Sequence, residues 1–169
     1  MPELKSNYRQ LVAFFLDNEE YGVTITQIQE VIRKPGITHI PGMPDFIEGV
    51  VNLRGRVIPI IDLRKRFGLK QMLESDKTRI IVANTSDQTI GLIVDGVSEV
   101  IHLPEDQIDP IPPTIASIDA EYLSGVGKMG RRLVILLNVE KLLTELEKVA
   151  MEHMGKKEKT IIETTVEKN

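Results

Sequence analysis

His39, His102 and His153 would be the natural metal ligands of this chain. They stand far apart, and no His-x-x-x-His or similar spacing joins any two, so a zinc-type site is not expected. There is no Gly-x-Ser-x-Gly elbow. Ser6, Ser75, Ser86, Ser98, Ser117 and Ser124 all lack the neighbours that mark an activated nucleophile. No cysteine is present, which removes thiolate chemistry and disulfides together. Gly125-Val126-Gly127 with Gly130 has the outline of a phosphate loop. No Lys-Ser/Thr follows it, and a hairpin turn explains it better. What remains is charge set in apolar surroundings. Arg54 stands at the apex of a Val/Ile-rich hairpin, and Glu30 lies among Ile28, Val31 and Ile32. The planar fork of an arginine can hold a carboxylate through two hydrogen bonds, so such residues suit recognition of a protein partner better than catalysis. Each alone also reads as a solvated surface charge, and the sequence does not bring the two together.

The elements that position Arg54 come from the run FIEGVVNLRGRVIPIIDLRKRF, residues 46–67. It reads as strand, tight turn, strand and short helix. Gly55 can take the positive φ a reversal needs. Asp62 can cap the first turn of the helix, and Gly68 stands where a helix C-cap belongs. Pro59, inside the second arm, predicts an edge strand or a bulge. Upstream, residues 10–25 predict a hairpin turning at Asp17-Asn18. The Thr26-x-x-Gln29 spacing then fits a capping box. With Ile28, Val31 and Ile32 on one face, it predicts a short helix with Glu30 pointing away from the core. Thr38 to Asp45, carrying Pro41, Gly42 and Pro44, predicts a loop or an irregular edge.

The organisation then repeats. Residues 11–31 lie over 80–100 without a gap, so that Tyr21-Gly22-Val23 meets Ile90-Gly91-Leu92 and Gln29-Glu30-Val31 meets Ser98-Glu99-Val100. Residues 122–143 repeat the central run: Tyr122 answers Phe46, Gly125 answers Gly49 and Asn138 answers Asp62. Residues 78–84 and 89–94 predict a second hairpin. Asp95-Gly96 reads as a turn before a strand over 97–103, so the halves are expected to diverge there, turn against capped helix. Val139, Leu142, Leu143, Leu146 and Val149 predict a C-terminal helix. In all, about ten short strands, two short helices and a longer final helix are expected. Such strands suggest barrels or a sandwich, and two small closed barrels, one per half, would remove most exposed edges.

The totals fit a soluble binding protein. The chain has 169 residues, 41% hydrophobic and 27% charged. A net charge of −4 and 4% aromatics argue against a nucleic-acid surface. No apolar run reaches the length of a membrane span, and the first ten residues lack a signal-peptide pattern. A cytoplasmic location without membrane insertion is expected.

The motifs resemble those of the CheW-like chemotaxis coupling family. They are Glu20-Tyr21-Gly22-Val23, Gln29-Glu30-Val31, Gly49-Val50-Val51-Asn52-Leu53-Arg54-Gly55 and Val57-Ile58-Pro59-Ile60-Ile61-Asp62-Leu63-Arg64. To these add Val94-Asp95-Gly96-Val97-Ser98-Glu99-Val100 and Tyr122-Leu123-Ser124-Gly125-Val126-Gly127. The resemblance implies a mainly β domain over 7–150, built of halves 7–76 and 77–150, with flexible ends at 1–6 and 151–169. It implies two intertwined five-stranded SH3-like β-barrels with short helices and a C-terminal helix. It also implies a non-enzymatic adaptor without cofactor or metal, joining chemoreceptor cytoplasmic tips to the regulatory domain of the histidine kinase CheA. Carried over by motif, the receptor face would hold Glu30, Arg54, Asn52, Leu53, Gly49, Ile28 and Val31. The kinase would use exposed apolar positions at the barrel ends that no local motif marks. Adaptor service to a related non-motility kinase is the alternative within the family, and a small β-barrel enzyme the alternative outside it.

Overall fold

In a computed structural model, the chain is described over residues 7–111 and 122–143. The first apolar run forms β1 (Tyr8–Leu16) and returns as β2 (Glu19–Thr24). Between them Asp17 and Asn18 take φ of 50° and 70°, the left-handed pair that a two-residue hairpin loop requires and that short polar side chains tolerate. The central run forms β4 (Ile47–Leu53) and β5 (Arg56–Asp62). Here Arg54 itself takes φ 52°, beside Gly55 at 85°. The Asn52 side chain accepts the Gly55 N–H at 2.9 Å and holds the turn. Asp62 caps α1 (Leu63–Arg66) by accepting the N–H groups of Arg64 and Lys65, and Gly68 follows at φ 71°. The second half supplies β6 (Arg79–Asn84), β7 (Thr89–Val94), β8 (Gly96–Pro104), the two-residue β9 (Ile108–Asp109), β10 (Leu123–Met129) and β11 (Arg132–Leu137).

The segment expected as a helix is a strand, β3 (Ile28–Arg33). Its burial alternates, with Ile28, Glu30 and Ile32 half-buried and Gln29, Val31 and Arg33 exposed. Thr26 lies inside a single 3-10 turn, Ile25–Gln27, that has no side-chain cap. A period of two therefore replaces the expected period of 3.6. Glu30 sits on the inward face, and Val31, expected in the core, is 40% exposed. Pro59 also departs from expectation, since β5 runs between β4 and β7. Val50, opposite Pro59, gives its own N–H and C=O to Thr38, both at 2.9 Å. The Val50–Pro59 pair is thus of the non-hydrogen-bonded kind. The pairing with β7 begins at Ile60, so the missing N–H interrupts neither ladder.

Two sheets result, ordered β8-β1-β2-β11-β10-β9 and β3-β6-β7-β5-β4. The repeat is visible throughout: β1, β2, β3, β4 and β5 correspond to β6, β7, β8, β10 and β11. The halves do not diverge after β2 and β7, because β3 answers β8. Asp95-Gly96 is not a hairpin turn. It carries the chain from one sheet to the other, with the Asp95 N–H on the Phe15 carbonyl at 3.0 Å. Nor does each half make its own barrel. Each half gives its first hairpin to one sheet and its later strands to the other, which is the intertwined arrangement.

Each sheet encloses a cluster of its own. Leu11, Ala13, Ile101, Leu103, Val134 and Leu136 fill the first, and Val51, Ile58, Ile60, Ile80 and Val82 the second. A third and larger cluster, including Phe14, Tyr21, Phe46, Ile61, Leu92 and Leu137, lies between the barrels. Strands buried on both faces explain why the apolar runs are continuous rather than alternating. At the C-terminal end, Val139–Lys141 is a 3-10 turn capped by Asn138, and Val139, Leu142 and Leu143 are buried in the shared core. The remainder of the expected helix, including Leu146 and Val149, lies outside the described residues, as do the ends 1–6 and 151–169.

Candidate functional site

β3 and β4 are the two edges of the five-stranded sheet. Curling of the sheet brings Glu30, on β3, to the β4–β5 turn that carries Arg54. Arg54 Nη1 donates to Glu30 Oε1 at 3.2 Å, and Nη2 donates to Oε2 of the same carboxylate. This is the two-pronged pairing that a guanidinium favours. Gln29 supports it by donating its side-chain N–H to Glu30 Oε2 at 3.4 Å. Arg54 holds the Glu30 carboxyl below its ordinary range, and Glu30 in turn raises the Arg54 pKa. The Arg54 side chain remains 65% exposed and that of Glu30 25%. The pair is therefore a surface mark that a partner can reach, and an exposed ion pair of this kind adds little to stability.

The other expected site residues separate. Asn52 is exposed and shapes the Arg54 turn. Leu53 packs on the interior cluster of the five-stranded barrel, and Ile28 on the core between the barrels. Gly49 is buried at a bulge in β4, at φ 146°, where a Cβ would overlap the Thr38 carbonyl oxygen. Its visible role is this close approach. Val31 points to the opposite side of β3 from Glu30. There it lines a groove at the seam of the two sheets with Phe15, Lys77, Arg79, Gly96 and Val97. Phe15 and Val97 belong to one sheet, Val31 and Arg79 to the other. Phe15, 40% exposed, was hidden in the sequence by its place among consecutive apolar residues.

The repeat provides an internal control. Glu99 stands where Glu30 stands, but Gly130 occupies the place of Arg54. The arginine that reaches Glu99 is Arg132, at 2.7 Å, and it is shared with the buried Glu20. Its counterpart in the first half, Arg56, donates to the Thr89 hydroxyl at 2.9 Å. The second copy of the mark has thus become a three-membered ion-pair network of Glu20, Arg132 and Glu99, whereas in the first the carboxylate is paired with the turn arginine alone. Hydrogen bonding from Arg132 holds the Glu20 carboxyl below its ordinary value of 4.5. A carboxyl with a depressed folded pKa contributes stability that is complete above the unfolded pKa and lost as pH falls through the folded one. Urea midpoints of the wild type should therefore fall more steeply between pH 5 and pH 3 (about the carboxylate range) than those of Glu20→Gln. Parallel slopes would show that Glu20 contributes nothing to the acid limb.

Among the described residues no cluster of three or more His, Asp or Glu could hold a metal, and no helix is long and apolar enough to cross a membrane. His102 is exposed and pairs with Gln10 at 2.9 Å, His39 is exposed, and His153 lies outside the described residues.

Comparison with known proteins agrees with this architecture. The model of the CheW-like domain matches residues 10–147. The chain is similar to the chemotaxis protein CheW of Klebsiella aerogenes, 40% identical over 148 residues, covering 88% of this chain and 89% of that one. It is also similar to the CheW of Helicobacter pylori, 38% identical over 134 residues, covering 79% and 81%. Among solved structures, the scaffolding protein TtCheW from Thermoanaerobacter tengcongensis superposes with a TM-score of 0.76 at 40% identity, covering 82% of this chain and 94% of that one. A match across nearly the whole described chain places this protein in the CheW-like family, as a non-enzymatic scaffold of chemotaxis signalling.

Proposed function

We propose that the Glu30–Arg54 face takes the cytoplasmic tip of a chemoreceptor and that the seam groove takes the regulatory domain of the kinase CheA. The observation that carries the first assignment is the asymmetry of the repeat. Two equivalent barrel closures exist, and in the first the turn arginine pairs through both nitrogens with the carboxylate of the facing strand while staying two-thirds exposed. A receptor helix carrying a carboxylate or amide could share the guanidinium without removing Glu30, which supplies specificity more than raw affinity. Supporting the second assignment, Phe15 and Val31 are each 40% exposed at the same seam, and Lys77, Arg79 and Asp95 flank that apolar strip with charge. Large apolar side chains flanked by charge are the usual composition of a protein-binding patch.

In this reading the adaptor holds receptor and kinase in fixed relative geometry at the cytoplasmic side of a receptor array, with many modest contacts reinforcing one another. The experiment is a pair of titrations, receptor tip and kinase regulatory domain, against the wild type and Phe15→Asp. Burying a carboxylate in the groove should cost the kinase domain roughly tenfold or more in affinity, with receptor-tip affinity unchanged. Equal loss toward both partners would remove the groove assignment. A wild type that binds neither partner would remove the proposal as a whole.

A further inference from the structure

At one place the two halves of the repeat meet through equivalent positions. Arg66, the last residue of α1, answers Leu142 in the second half. The two touch: Arg66 Nε donates to the Leu142 carbonyl at 2.9 Å. Phe46 and Tyr122 are likewise equivalent residues, standing just before the equivalent strands β4 and β10. Their carbonyls accept from equivalent cap residues, Asp62 at 2.8 Å and Asn138 at 2.6 Å. The Arg66 guanidinium lies over both rings, 4.3 Å from the Phe46 centroid and 4.7 Å from that of Tyr122. Both rings are buried. A cation held over two ring faces is attracted to each, and Arg66 is itself half-buried. An arginine can do this while still donating at its edge.

Phe46 leads into the five-stranded sheet and Tyr122 into the six-stranded one. A row of rings continues from there across the junction. Tyr122 stacks on Phe67 at 5.7 Å, Phe67 meets Tyr21 at 5.8 Å, and Tyr21 stacks on Phe14 at 5.8 Å. Most of the inter-barrel contact is apolar packing, which is non-directional and tolerates small rotations; beside it, Ser86 donates its N–H and hydroxyl to Glu140 at 2.8 and 2.9 Å, and Arg64 lies 3.6 Å from Asp17. Arg66 is directional, and it breaks the symmetry of the repeat, since its counterpart is a leucine.

We infer that Arg66 is a clamp that fixes the angle between the two barrels, and through it the shape of the seam groove. The groove is sensitive to that angle because Phe15 and Val97 come from one sheet and Val31 and Arg79 from the other. The Glu30–Arg54 mark is not, because both residues belong to the five-stranded barrel. The clamp itself rests on geometry alone; its effect on binding rests on the assignment of the groove to the kinase.

The test separates these two levels. The chain has no cysteine, so Arg33→Cys and Arg131→Cys, on exposed sites of different sheets, accept a spin-label pair uniquely. Arg66→Leu, which installs the residue found at the equivalent position, should broaden the label–label distance distribution, and Arg66→Lys should broaden it less. Circular dichroism establishes that each variant is folded, and the lysine variant carries the test if the leucine variant is not. Without labels, Arg66→Leu should weaken the kinase regulatory domain by roughly tenfold and leave the receptor tip unchanged. Identical distance distributions in the wild type and both variants would overturn the clamp. A broadened distribution with undiminished kinase binding would overturn the link from the angle to the groove. A wild type that fails to bind the kinase domain would count against the groove's assignment, while the distance measurement still decides the clamp.

Discussion

Gly49→Ala should lower the unfolding free energy by about 3 kcal/mol or more, because two costs coincide at that position. Gly49 has φ 146°, a backbone conformation that side chains with a Cβ rarely adopt. A Cβ would also meet the carbonyl oxygen and carbon of Thr38, which are backbone atoms rather than the movable end of a side chain. Thr38 cannot easily retreat. Its N–H and C=O are both bonded to Val50 at 2.9 Å, and Ile37 beside it packs on the interior cluster of the five-stranded barrel. Two further glycines calibrate the effect. Gly125, the counterpart in β10, would place a Cβ 2.9 Å from the Asp109 carbonyl oxygen, without the positive φ. Gly55, at φ 85°, has open space around it, so Gly55→Ala meets conformational strain alone, about 1 kcal/mol. Urea denaturation should rank the alanine variants Gly49, Gly125 and Gly55 in falling order of damage. If Gly49→Ala unfolded at the wild-type midpoint, the close approach would not be the constraint on this position.

This position also shows how much could be read before the fold was known. The alignment of Gly125 with Gly49 carried the structural fact that both sit at bulges in the equivalent strands β10 and β4, although the reason, contact with a crossing segment, depends on residues far away in sequence. The same alignment held a correction to the reading of β3. Residues 28–33 lie over 97–102, which read as a strand. The Thr26 spacing and the apolar triplet Ile28, Val31, Ile32 pointed to a helix instead. A charged residue on the inward face hid the alternation, because Glu30 looks like a break in a buried stripe until Arg54 is brought to it. Arg54, Asp62 and the hairpin were legible because turns and caps are local chemistry. Phe15 and Arg66 were not. In Leu11-Val12-Ala13-Phe14-Phe15-Leu16, a register shift between Val12 and Phe14 decides which ring faces out, and sequence periodicity carries no trace of it. Arg66 reads as one more charge in a short basic helix until Phe46 and Tyr122 close around it.

Arg54→Glu should weaken receptor-tip binding by roughly thirtyfold or more while kinase-domain affinity stays as it was. Reversal does more than remove a contact. It sets two carboxylates against each other at the barrel closure, and the turn should move outward from Glu30, so both the charge and its position are lost to a partner. The fold should survive, since the pair is exposed and Asn52 still holds Gly55. Glu30→Arg alone should be comparably damaging for the same reason. The double variant, Glu30→Arg with Arg54→Glu, distinguishes two roles the pair could have. It restores the attraction and the turn position but presents the charges in inverted order. If the pair serves only to pin the turn, binding should return close to the wild-type level. If the receptor reads the guanidinium itself, the double variant should bind as poorly as Arg54→Glu. The exposure of Arg54 against the partial cover of Glu30 favours the second outcome, because the guanidinium is the half of the mark that faces outward. Isothermal titration of the four proteins with the receptor tip decides it. Wild-type affinity in Arg54→Glu would remove this face from the receptor interface altogether.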